Sequence, residues 1–248
     1  MEKFHCAQEA RLILKNCIEP KLKSEGFKKN GNTFYRLNPE FIAVCKLKFG
    51  RSNSKDYAWF SYSIRISIPW FYEKFDLYHA NKFECSIIDM ELGSIMGIVN
   101  NTPMEGYEYK LGYPGYDIEA LYNSMVTNSE TLDAKEKMID RVKYLNLLEK
   151  RYNHMNLEDA RNTVAMDLDD IVIPFFNKIK SIDDLVELII TKNLEGEKQN
   201  LFLLNYFVEK GELDKGLQFV KDIYQNHQND FYKIRIDKYL NDKGLSMQ

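Results

Sequence analysis

The chain has 248 residues, 44% of them hydrophobic and 29% charged, a balance that excludes a disordered polymer and allows a sizeable buried core. Thirty-four basic against 37 acidic residues leave a net charge of −3, so the molecule as a whole has no general attraction for nucleic acid or an anionic membrane. The opening residues Met1-Glu2-Lys3-Phe4-His5 lack the apolar core of an export signal, and no run approaches the ~20 apolar residues that cross a bilayer; a cytoplasmic protein with no membrane partner is expected.

In residues 4–24, Phe4, Ala7, Ala10, Leu14, Cys17, Ile18 and Leu22 recur at helical spacing and predict an amphipathic helix. Pro20 has no backbone donor and clashes one turn back, so it should kink this helix or end its regular part, with Gly26 as a left-handed cap. Asn30-Gly31 predicts a tight hairpin turn that sets Lys29 opposite Asn32 and Phe27 opposite Phe34. Beyond a second turn at Asn38-Pro39, Phe41, Ala43, Cys45, Leu47 and Phe49 share one face of a strand, and Gly50 to Asp56 form a polar loop.

From Tyr57 to Pro69 the alternation is almost free of error. Ala58, Phe60, Tyr62, Ile64, Ile66 and Ile68 take one face, and Ser61, Ser63, Arg65 and Ser67 the other. This is a strand of an antiparallel sheet with one buried face and one wet or partner-covered face. Pairing its apolar face with Phe41 to Leu47 sets Lys46 beside Trp59 and Lys48 beside Tyr57. Ser86 to Glu91 predicts a further strand, and Asn100 to Pro103 and Tyr113 to Gly115 are turns.

From about residue 131 the period becomes helical. Met138, Val142, Leu145, Leu148 and Tyr152 form a stripe, Asn156 caps the next segment, and Pro174 interrupts it. Ser181 with Asp184 reads as the start of a helix through Ile190. Leu201, Leu204 and Val208 before Gly211, then Leu213, Leu217, Val220 and Tyr224 after it, predict a helical hairpin. Its turn is like that of a tetratricopeptide-type repeat, but one unit falls short of a solenoid. The fold class is therefore α+β: an amino-terminal helix, an antiparallel sheet of four to six strands, and carboxy-terminal helices. Residues 1–190 are read as the α+β domain and 195–248 as a helical hairpin extension packed on it.

The run from Ile18 through Gly26-Phe27-Lys28-Lys29, followed by Gly31-Asn32-Thr33-Phe34-Tyr35-Arg36, resembles the opening of a largely bacterial family, domain of unknown function 4304. There a helix ends in a Gly-Phe-Lys-Lys element and enters a strand with an aromatic-Arg pair. The resemblance continues through Phe41 to Val44, the strand to Pro69 and Cys85 to Gly93, and more faintly at Leu168 to Pro174. It implies the α+β fold and a bacterial protein. It brings no catalytic residues, because the family has no established activity to carry over.

No glycine-rich phosphate loop, nucleophile elbow or HExxH pattern is present, and the sequence nominates no catalytic residue, metal site or cofactor. Asp167, Asp169 and Asp170 read as a solvated helix face ahead of a cation site. His5, His79, His154 and His227 stand apart, and a His79–Cys85 nucleophile pair has little behind it. Cys6, Cys17, Cys45 and Cys85 never pair as CxxC and are expected to be thiols. The notable surface is Lys46, Lys48, Tyr57, Trp59 and Arg65, the candidate partner-binding residues. Coverage by the later helices or plain solvation competes with a protein partner there, and a protein partner stands ahead of nucleic acid. The expected function is a binding protein without catalysis, acting through protein–protein contact, with toxin neutralisation of the immunity type as one concrete version. The alternatives are an enzyme assembled from distant residues such as Asp169, His154 and Arg36, and a single-stranded nucleic-acid binder on the basic-aromatic face. No pattern in the chain specifies an oligomeric state.

Overall fold

The computed structural model describes residues 5–100, 108–112, 153–154, 157–194, 196–225 and 230–246, with isolated positions between 123 and 140. The helical stripe from Met138 to Tyr152, the Asn156 cap and the turn at Tyr113 to Gly115 lie outside the described residues. The chain forms two compact units. The first comprises Met1–Phe34, Lys46–Ser63 and Glu91–Pro174; the second comprises Tyr35–Cys45, Ile64–Met90 and Phe175–Gln248.

The first unit opens with helix α1 (Cys6–Ile13), a π-helical segment at Leu14–Ile18, and α2 (Glu19–Ser24). His5 caps the start by accepting from the Gln8 N–H. The helix runs through Pro20 instead of ending there. In a regular α-helix the proline ring would meet the carbonyl four residues back. Here the Glu19 N–H bonds to the Leu14 carbonyl, five residues back, and this wider turn makes room for the ring. The same arrangement recurs. Helix α5 (Leu157–Asp167) passes into a π-segment at Leu168–Val172, the Ile173 N–H bonds to the Leu168 carbonyl, and α6 (Ile173–Lys178) carries Pro174 as its second residue. Pro174 therefore does not interrupt its helix.

The sheet is built from β1 (Lys28–Asn30), β2 (Thr33–Leu37), β3 (Ile42–Phe49), β4 (Ala58–Ser67), β5 (Ser86–Glu91) and β6 (Tyr109–Leu111), with a two-residue β7 (Asn153–His154). Its order is β1-β2-β3-β4-β6-β7, and β5 also pairs with β4. The β6 strand is antiparallel to β4, with Ala58 opposite Leu111, Trp59 opposite Lys110 and Phe60 opposite Tyr109, while β7 runs parallel to β6. The first hairpin turns one residue later than expected. Strand β1 ends at Asn30 and β2 begins at Thr33, so Gly31-Asn32 is the loop, with Gly31 at φ +59°.

Along β4 the even positions from Ala58 to Ile66 are all fully buried, as the alternation predicts. The opposite face is expected to be wet or covered, and at its serines it is covered. Ser61, Ser63 and Ser67 are buried too, so this face is not wet at those positions. Serine reads as polar in a periodicity count, but its short side chain allows close covering when its hydroxyl is satisfied. Ser67 donates to the Phe83 carbonyl at 3.1 Å.

Helix α4 (Leu92–Asn100) belongs to the first unit and α3 (Pro69–Lys74) to the second. The second unit adds α7 (Ile182–Thr191), started by a reciprocal Ser181–Asp184 capping box, then α8 (Glu197–Glu209), α9 (Leu213–Gln225) and α10 (Asp230–Asp242). The α8–α9 hairpin closes tightly because Gly216 lacks a side chain. A Cβ there would stand 3.2 Å from the Leu204 carbonyl oxygen and 3.3 Å from Phe207 Cβ, and beside it the Phe207 and Phe219 rings stack at 5.6 Å. All four cysteines are thiols; Cys6, Cys45 and Cys85 are buried and Cys17 is half-buried.

Candidate functional site

The candidate face is assembled in the first unit where β3 turns into β4. The Gly50 N–H donates to the Trp59 carbonyl at 3.0 Å, and the Phe49 and Phe60 ring centroids stand 5.9 Å apart. Gly50 therefore lies against Trp59, in the place the sequence reading gave to Lys46. The slip is four residues, an even number, so strand parity survives it. Lys46 and Lys48 still project on the same side as Trp59, and Lys110 joins them as the register partner of Trp59 on β6. Lys46, Lys48, Tyr57, Trp59 and Lys110 are all half-buried.

Trp59 is held firmly. The Asn53 side chain accepts from its N–H at 2.9 Å and donates to its carbonyl at 2.9 Å, so one amide acts as a short strand partner. The indole lies over Gly50 so closely that a Cβ at that position would overlap Nε1. Tyr57 is fixed through Ser54, whose N–H donates to the Tyr57 carbonyl at 2.8 Å. The loop is also tied to the start of α1. The Cys6 N–H donates to the Lys55 carbonyl at 3.0 Å, Ala7 to Ser54 at 2.9 Å, and the Cys6 thiol to the Asp56 carbonyl at 3.2 Å. Lys48 pairs with Glu91 at 3.1 Å. Arg65 belongs to the second unit, where it pairs with Asp89 at 3.0 Å and its side chain is only 13% exposed. Thus Lys46 and Lys48 lie on the same side of the sheet as Trp59 but four residues away from the places expected for them beside Trp59 and Tyr57, and Arg65 is engaged elsewhere.

The other nominated groups are occupied structurally. Asp167 is fully buried and accepts from the Tyr109 hydroxyl at 2.7 Å, whereas Asp169 pairs with Lys21 at 2.5 Å and Asp170 is exposed. Asp167 and Asp170 would share a face of a regular α-helix, but the π-segment that begins after Asp167 alters that spacing. Arg36, in the second unit, donates to the Asn177 side chain at 3.0 Å and the Phe176 carbonyl at 3.2 Å, capping the end of α6. The side chain of His154 lies outside the described residues. His79 sits by the Leu77 carbonyl at 3.2 Å, and burial pushes the Cys85 thiol up to about 11, so this cysteine is protonated at neutral pH. Among the described residues no group of three histidines, cysteines or carboxylates could hold a metal, and no helix is long and apolar enough to cross a membrane.

Fold and site together define an α+β protein built on a mainly antiparallel sheet, with a half-buried basic-aromatic face in its first unit. Residues 18–105 match the model of a family described as domain of unknown function DUF4304, the family that the opening of the sequence resembles. No curated protein and no solved structure matches the chain. The match takes in α2, β1 to β5 and the Lys46, Lys48, Trp59 segment, and ends before Lys110.

Proposed function

We propose that the chain is a binding protein without catalysis, whose protein partner seats on the face formed by Lys46, Lys48, Trp59 and Lys110. The observation that carries this reading is the register: Lys110 lies directly opposite Trp59 on β6, with Lys46 and Lys48 on the same side of β3. With its backbone clamped by Asn53 and its indole lying over Gly50, Trp59 loses little entropy when it is covered, and the flanking lysines steer an acidic partner toward it. A platform for single-stranded nucleic acid needs successive rings for successive bases. Ser61 and Ser63, the next two positions on this side of β4, are buried hydroxyls, which favours a protein partner. A toxin neutralised by an immunity-type protein is the concrete version of such a partner.

The test is capture from bacterial cytosol on the immobilised chain, compared with a Lys46→Glu/Lys48→Glu/Lys110→Glu variant that retains the wild-type circular dichroism spectrum. The expected result is one protein held by the wild type and weakened by at least about tenfold in the variant. Equal recovery on both chains removes the face from consideration.

A further inference from the structure

Beside the π-turn of the first helix, the surface of the first unit carries a groove lined by Leu14, Lys15, Glu19, Pro20, Lys23 and Lys29. Two observations give it a ligand preference. Between Arg11 and Lys29 the chain carries Arg11, Lys15, Lys21, Lys23, Lys28 and Lys29 against only Glu19 and Glu25, a local excess of four positive charges in a molecule of net charge −3. In addition, the groove lysines are positioned in advance. Glu19 accepts from Lys23 at 2.7 Å and also from Lys29, which fixes an ammonium group from α2 and another from β1 beside it. These bonds hold the Glu19 carboxyl down at about 2, so it remains ionised at any physiological pH. Lys15 is exposed and makes no ion pair among the described residues, while Leu14 and Pro20 add apolar lining.

We propose that this groove receives an extended acidic peptide segment of a protein partner, its carboxylates meeting Lys15, Lys23 and Lys29 and its apolar side chains resting on Leu14 and Pro20. A nucleic-acid strand fits less well. The ionised Glu19 in the lining repels phosphates, and no aromatic ring lines the groove for base stacking. A peptide can space its carboxylates to avoid Glu19, and its leucine-like side chains match the apolar lining of Leu14 and Pro20. The inference rests on reading the chain as a binding protein but uses a different face from the sheet, so the two can fail separately.

The experiment is fluorescence anisotropy on the full chain with three probes: a fluorescein-labelled peptide of alternating glutamate and leucine, a labelled oligo(dT), and labelled phosphatidylglycerol–phosphatidylcholine vesicles. The peptide is expected to bind most tightly. Lys15→Glu with Lys23→Glu should weaken it at least about tenfold, while Lys46→Glu with Lys48→Glu leaves it within about twofold. Lys15→Ala, at an exposed position outside the Glu19 pair, serves if the charge reversals disturb folding, and should weaken the peptide about threefold. Failure of the peptide to bind, indifference to the groove variants, or tighter binding of oligo(dT) or vesicles overturns the proposal. Loss confined to the sheet-face variants transfers the peptide to the other surface and also overturns it.

Discussion

Single positions in the first unit are constrained by close approach more than by their own chemistry. Gly112 has φ +72°, and a Cβ there would overlap the Asp56 carbonyl oxygen and stand 2.7 Å from Cys6 Sγ, the same pair that joins the loop to α1. Two penalties coincide, left-handed backbone and contact with main chain that cannot rotate away. Gly112→Ala should therefore lose about 2–4 kcal/mol in urea titration. A loss under about 1 kcal/mol would mean that the junction relaxes freely. The buried Tyr109–Asp167 bond is a second case, because it lies among rings that do not need it. Tyr109 stacks on Phe60 at 4.8 Å and meets Tyr62 edge-on at 5.6 Å, contacts that phenylalanine would keep. Tyr109→Phe removes only the hydroxyl from a fully buried carboxylate, and the expected cost is about 1–3 kcal/mol. A double cycle with Asp167→Asn isolates that bond; a coupling near zero would show that Asp167 is held by its other partners.

At the scale of elements, the two proline-bearing helices depend on the same solution. Each places a five-residue π-segment so that the proline is the second residue after it, Leu14–Ile18 before Pro20 and Leu168–Val172 before Pro174. A proline inside a regular helix costs about 3 kcal/mol relative to alanine, but the wider turn has already relieved its clash. Pro20→Ala should then leave stability within about 1 kcal/mol of the wild type, far short of the gain expected from repairing a strained helix. A gain of about 3 kcal/mol in denaturant titration would show that the ring is still strained in place. Strand β4 behaves in the opposite way, since its positions cannot relax. Ile64 is fully buried within the sheet, and Ile64→Ala should cost about 2–5 kcal/mol by the same measurement. A loss below about half a kcal/mol would mean that the cavity closes over completely.

For the whole molecule, what was legible in the sequence followed periodicity, and what was not depended on contacts far apart in the chain. The alternation from Ala58 to Ile68 located the main strand and its buried side, and Ser181 with Asp184 located the start of α7. The covered serine face could not be read, because a buried serine and a wet one alternate identically. Nor could Lys110, which becomes the neighbour of Trp59 only through a strand pairing fifty-one residues later, in a stretch without a clear period. The Gly50–Asn53 clamp left a faint signal, two turn-forming residues in a polar loop, but nothing local directs Asn53 back onto Trp59. Response to acid is another property of the assembled chain, because it arises where distant charges meet. Glu209 accepts from Lys74 at 2.8 Å and Lys243 at 3.0 Å, which lowers its carboxyl from an ordinary 4.5 to about 2. Glu19 is lowered to about 2 in the first unit by Lys23 and Lys29. A carboxyl whose folded value lies below its unfolded one stabilises the fold above the unfolded value, and that contribution drains away as pH falls toward the folded value. The wild type should therefore lose stability progressively between pH 4.5 and 2. Glu209→Gln should be less stable at neutral pH by no more than about 1 kcal/mol, since its partners are well exposed to solvent. The gap between variant and wild type should narrow through the same interval and close near pH 2, as followed by thermal melts across the range. A gap that persists unchanged at low pH would show that Glu209 acts through packing and not through its charge.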